Sequence, residues 1–182
     1  SWGRASRTWA GMRGPPSAGG PCLSGSRWRS TGYSSLPDLP PVFLRLPFAH
    51  RGLHDRARGV IENSRAAAEA AVEAGYGIEI DVQRASCGEA MVFHDDALPR
   101  LTGAPGLVAD YTAAALGRVL LNGTEESVPT LPEFLSLIAG RAPLLIEIKD
   151  QTGVLGPSRI IVFVSSFSKP SIHHFFVIRD ET

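Results

Sequence analysis

Seven residues have types and places that could do chemistry together: His50, Arg51, Glu79, Asp81, His94, Glu147 and Lys149. Three carboxylates without a cysteine among them suit a hard cation, Mg²⁺ or Ca²⁺, better than zinc. An arginine and a lysine supply fixed positive charge for the non-bridging oxygens of a phosphate. Two histidines can exchange protons near neutral pH, one as general base and one as general acid. Together these parts fit metal-assisted cleavage of a phosphoester.

The elements that must position them can be read from periodicity. Gly77-Ile-Glu-Ile-Asp-Val-Gln83 alternates apolar and polar residues, the pattern of a strand. Glu79 and Asp81 then share one face, with Cα atoms roughly 6–7 Å apart, and Ile78, Ile80 and Val82 take the other. A solvated edge could carry two such carboxylates freely. A buried strand could carry them only beside compensating positive charge.

Phe43–Ala49 reads as a first strand ending at His50-Arg51-Gly52. Asn63 or Ser64 caps an Ala-rich helix that runs through Ala74 and stops at Gly75. Ala90–Phe93 is a short strand ending at His94-Asp95, and a weak helix is expected near Thr112–Leu120. Thr130-Leu-Pro-Glu133 is a capping box opening a helix through Ile138, and Pro143–Lys149 is a further strand. Strands alternating with helices imply an α/β fold with a parallel sheet. The polar residues gather at the C-terminal ends of the strands, where a β/α barrel keeps its site. A full barrel needs eight strands and roughly 250 residues. The 182 residues here supply four clear strands, with Ile160–Val164 as a candidate fifth.

Six short motifs occur in one order. They are His50-Arg51-Gly52, Glu62-Asn63-Ser64, Glu79-Ile80-Asp81-Val82, Val92-Phe93-His94-Asp95, Val128-Pro129-Thr130-Leu131 and Glu147-Ile148-Lys149. Over about residues 42–156 this order and spacing resembles the glycerophosphodiester phosphodiesterase family. Ile61 and Ser64 stand where the family pattern has Pro and Thr. The resemblance implies a TIM-type barrel and one divalent cation, Mg²⁺ or Ca²⁺, held by Glu79, Asp81 and Glu147. It also implies acid–base catalysis by His50 and His94, with Arg51 and Lys149 on the substrate phosphate. The implied substrate is a glycerophosphodiester, or a lysophospholipid-like diester, cleaved to an alcohol and glycerol 3-phosphate. The span 95–128 falls where the family carries a small insertion.

After Gly156 the resemblance fades. Ile160–Phe167 arrives too soon after Lys149 for a helix between them, and no tryptophan follows Trp28. The expected organisation is therefore a leader at 1–35, the first half of a barrel at 36–158, and a divergent tail at 159–182 that adds one strand. The leader is rich in Arg and Ser and lacks acids before Asp38, so it is expected to be disordered or non-native, with a weak likeness to an organellar transit peptide. Cytoplasmic location is the default expectation, and oligomeric state is left open. Zero net charge gives no electrostatic bias toward nucleic acid. No apolar run reaches the ~18–20 residues of a membrane span. Two other functional readings stand beside hydrolysis of glycerophosphodiesters. One is a truncated, non-catalytic remnant of that family. The other is a different barrel phosphodiesterase, such as a phosphatidylinositol-specific phospholipase C-like enzyme.

Overall fold

The structure is a computed structural model that describes residues 42–149, 160–164 and 176–179. The expected leader at 1–35 lies outside the described residues.

One sheet organises the chain, and the strand bearing Glu79 and Asp81 is inside it. That strand, β2 (Gly77–Arg84), lies between β1 (Phe48–Ala49) and β4 (Leu144–Ile148) and is parallel to both. Ala49 pairs with Ile78, and Asp81 with Glu147. The short β3 (Ala90–Val92) runs antiparallel to the end of β2, with Val82 opposite Val92. This is a mixed α/β architecture with a parallel centre, as the first half of a barrel requires.

The apolar face of β2 and β4 is covered by two helices. Ile78, Ile80, Val82, Leu144 and Ile146 form a core with Ala68 and Ala71 of α2 (Arg65–Glu73) and with Phe134 and Ile138 of α5 (Leu131–Ile138). Both helices start as their sequences dictate. The Ser64 hydroxyl accepts from the Ala67 N–H. Thr130 and Glu133 cap each other reciprocally, at 3.3 Å and 3.0 Å. The alanine face of α2 lets backbone approach closely. Gly52 has φ +79°, and a Cβ there would meet the backbone and Cβ of Ala67 at 2.8–2.9 Å.

The span 95–128 carries a second apolar cluster. Leu98 and Leu101 around α3 (Pro99–Thr102), Val108, Leu116 of α4 (Ala113–Leu116), Leu121 and Val128 pack with Met91 and Phe93 at the end of β3. The weak helix expected over Thr112–Leu120 is this single turn, capped by Thr112.

Two expectations are corrected. Phe43–Ala49 is not one strand: Val42–Arg45 is a helical turn (α1), Pro47 follows, and only Phe48–Ala49 pairs in the sheet. Phe43 is still buried, stacked on Phe48 at 5.8 Å. The candidate strand Ile160–Val164 exists as β5, but it runs antiparallel to β4, and β6 (Phe176–Arg179) runs antiparallel to β5. Eleven residues (149–159) separate β4 from β5. A parallel return needs a crossover of a dozen or more residues, usually a helix, so the sheet reverses direction instead. Among the described residues no helix is long and apolar enough to cross a membrane.

Gly52→Ala should destabilise the protein by roughly 2 kcal/mol or more, combining a left-handed alanine with a steric clash. Urea unfolding of the two proteins measures it, and an unchanged midpoint would contradict the packing of this turn on α2.

Candidate active site

The three carboxylates come together because β2 and β4 are in register. Asp81 and Glu147 are cross-strand partners, and Glu79 lies two residues before Asp81 on the same face. One oxygen from each lies within 4.8 Å of the other two. Asp81 is 1% exposed and Glu79 8%. The solvated-edge reading of the alternation is thereby excluded, and the charges must be answered locally.

Three groups answer them, and His50 stands nearby. Lys149, one residue beyond β4, places its Nζ 2.9 Å from Asp81 Oδ1 and 2.7 Å from Glu147 Oε1. Arg51, just past β1, donates its backbone N–H to Glu79 Oε2 at 2.9 Å, and its Nε stands 3.3 Å from Asp81 Oδ2. That Nε is buried without a well-formed hydrogen bond. Asn63 donates its side-chain N–H to Asp81 Oδ2 at 3.0 Å and accepts from the Asp81 backbone at 3.3 Å. His50 is 69% exposed, with Nε2 3.9 Å from Glu79 Oε2.

The compensation is uneven. Burial pulls the Lys149 ammonium down, but hydrogen bonds to Glu147 and Asp81 outweigh it and hold it above the usual lysine range. Glu79 has the backbone N–H of Arg51 but, among the described residues, no close ammonium or guanidinium contact. Burial pushes it up to about 7, and the charges of Asp81 and Glu147 push the same way. A buried, under-compensated carboxylate beside two others is an all-oxygen donor set that fits one hard divalent cation.

His94 belongs to a neighbouring group. Its Nδ1 lies 2.7 Å from Asp95 Oδ1. Asp95 is gripped by Arg100, which also bonds Glu62, and Glu62 bonds Arg51. The chain of contacts thus returns to Asp81. Gln83, 2% exposed, donates to the carbonyls of Phe93 and Asp95, on either side of His94.

A family model described as the glycerophosphoryl diester phosphodiesterase family matches residues 50–171. The chain belongs to that family. The match includes β5 and so extends past residue 156. A glycerophosphodiester phosphodiesterase of Caldanaerobacter subterraneus is 35% identical over 117 residues, covering 60% of this chain and 46% of the relative. One from Bacillus altitudinis is 38% identical over 114 residues, covering 59% and 45%. The chain therefore spans about half the length of the curated relatives it matches. Among solved structures, an Oleispira antarctica phosphodiesterase in complex with the product sn-glycerol-3-phosphate is 30% identical, with a TM-score of 0.55, covering 63% of this chain and 49% of that one. A glycerophosphodiester phosphodiesterase from Agrobacterium tumefaciens is 31% identical, with a TM-score of 0.53, covering 58% and 47%.

Within this family member, six of the seven expected residues surround one point. His94 joins them through Asp95, Arg100, Glu62 and Arg51. Arg51 and Lys149, expected on a phosphate, contact carboxylates here. Sequence reasoning passed over Gln83, Asp95 and Arg100 as site groups. Gln83 had a signal: it continues the alternation of Glu79 and Asp81. Asp95 adjoins His94. Arg100 had none, because its partners meet only once 95–128 has folded.

The shift at Glu79 sets a pH dependence. Its folded pKa of about 7 lies above the ordinary 4.5, so between those values the folded state holds the extra proton. Stability of the chelator-treated protein should therefore fall as pH rises from about 4.5 to 7, by on the order of 3 kcal/mol at about 1.4 kcal/mol per unit. Urea midpoints across this range, compared with Glu79→Gln, isolate the effect. Parallel curves for the two proteins would contradict it.

Proposed function

We propose that this chain carries the site of a metal-dependent phosphodiesterase that hydrolyses glycerophosphodiesters to an alcohol and glycerol 3-phosphate. The observation that carries the reading is the meeting of Glu79, Asp81 and Glu147 within 4.8 Å on two adjacent parallel strands. Family membership and the product complex of the Oleispira relative support the substrate class. A lysophospholipid-like diester presents the same phosphate and glycerol chemistry.

Glu79, Asp81 and Glu147 would hold one divalent cation, Mg²⁺ or Ca²⁺. When bound, such an ion stabilises negative charge on a phosphate oxygen and lowers the pKa of a bound hydroxyl. Arg51 and Lys149 provide the positive charge that the non-bridging oxygens need. Of His50 and His94, one takes the proton from the attacking hydroxyl, either water or the glycerol 2-hydroxyl. The other returns a proton to the departing alcohol oxygen. Asn63 keeps Asp81 oriented throughout.

One observation favours a second reading, cation binding without turnover. Beyond β4 the sheet turns antiparallel, which a β/α barrel does not do. The two readings separate in one assay. Glycerol 3-phosphate release from glycerophosphocholine is measured with Mg²⁺ or Ca²⁺ and with chelator, alongside calorimetric metal titration. Hydrolysis predicts chelator-sensitive release, lowered about 10²–10⁴-fold by His50→Ala and by His94→Ala. Near-normal turnover in both variants would sink the two-histidine scheme. Metal binding by a folded but inactive chain would select the second reading. A cyclic inositol phosphate released from phosphatidylinositol would instead point to the phospholipase C-like chemistry.

A further inference from the structure

Arg100 lies outside the metal cluster and outside the seven residues that the sequence singles out. Its guanidinium nevertheless sits between two carboxylates. Nε and Nη2 both donate to Asp95, Nη2 reaching Oδ1 at 2.9 Å. Nη1 and Nη2 donate to Glu62 Oε2 and Oε1, at 2.9 Å and 2.7 Å. The fork geometry of arginine permits this double bidentate grip, and a lysine could not reproduce it.

The grip has a chemical consequence at His94. The Arg100 hydrogen bonds, acting against burial and assisted by His94, hold Asp95 down at about 2. Near neutral pH Asp95 is therefore an acceptor only. Its Oδ1 lies 2.7 Å from His94 Nδ1, so that nitrogen must carry the hydrogen. In the neutral ring the lone pair then belongs to Nε2. Gln83 holds the backbone on both sides of His94, and the Asp95–Arg100 pair holds the ring.

We propose that Arg100 is a positioning residue: by clamping Asp95 against Glu62 it fixes His94 in the Nδ1–H tautomer, leaving Nε2 as the nitrogen that exchanges a proton with substrate. The role of Nε2 rests on the hydrolytic reading; the tautomer does not. Glu62 Oε1 also accepts from Arg51 Nη1 at 2.9 Å. The clamp thereby joins the His94 side of the site to the carboxylate side. An exposed ion pair alone contributes little to stability. Arg100 is 43% exposed, so its distinctive effect is orientation.

Long-range ¹⁵N–¹H correlation spectra of the full chain, labelled at histidine, report the tautomer directly. The His94 signals are assigned by their loss in His94→Gln, at a pH where the ring is neutral. The wild-type ring should be predominantly Nδ1–H. Arg100→Gln should lower the Nδ1–H to Nε2–H ratio by roughly tenfold, the worth of one hydrogen bond to a charged group. Arg100→Lys should fall between. A wild-type ring in the Nε2–H form would overturn the proposal. So would a ratio within twofold of wild type in a folded Arg100→Gln. Should Arg100→Gln fail to fold, Arg100→Lys is held to the same criterion. Turnover is followed in parallel, where Arg100→Gln should lose roughly 10–100-fold in kcat with KM little changed. An inactive wild type showing the expected tautomer shift would count against hydrolysis and for the clamp.

Discussion

Three carboxylates on two adjacent buried strands repel one another, and most local features of this site answer that repulsion. β2 cannot avoid it: Glu79 and Asp81 share a face, and the register of β4 sets Glu147 opposite Asp81. Water cannot screen charges at this depth, so the protein brings Lys149 from one strand end and Arg51 from another. Asn63, held at φ +56°, adds two hydrogen bonds to Asp81. Glu79 is left with the least, and its affinity for a proton is raised accordingly. The demand for positive charge that remains is the physical case for a cation here.

The same electrostatic problem recurs one step outward and is solved within the chain. Glu62 and Asp95 each lie beside an arginine, and both are held at about 2. Arg100 bonds both at once and Arg51 bonds Glu62 as well, so two guanidiniums face the two carboxylates. The site thus has an inner set of acids short of positive charge and an outer set that is balanced. That contrast separates groups able to take a ligand from groups that hold others in place.

Much of this is legible in the sequence because period-two alternation fixes which side chains share a face. Glu79 sorts with Asp81, and Ile78 with Ile80 and Val82, from the alternation alone. The capping signals at Ser64 and Thr130 are equally local, and both caps form. What resists reading depends on distant pairing. The run Ile160–Val164 declares a strand but not its direction, which is set by the short connection from β4. Phe43 is as apolar as a strand residue, yet it belongs to a helical turn interrupted at Pro47. Arg100 finds its partners only when a segment with its own apolar cluster lays α3 beside Glu62 and Asp95. Burial of Glu79 and Asp81 likewise follows only from the place of β2 inside the sheet.

Arg51 sits at φ +57°, a left-handed conformation that costs a side-chain-bearing residue roughly 1–2 kcal/mol and costs glycine almost nothing. Its backbone N–H to Glu79 and its carbonyl to the Asn63 N–H would survive the loss of the side chain. The guanidinium beside Asp81 and Glu62 would not. Backbone strain and charge compensation therefore pull this one position in opposite directions, and the loss of a partner from buried Asp81 outweighs the strain. A variant library screened for heat resistance alone would keep the strained arginine at 51, since glycine would relieve roughly 1–2 kcal/mol of strain but leave Asp81 short of positive charge.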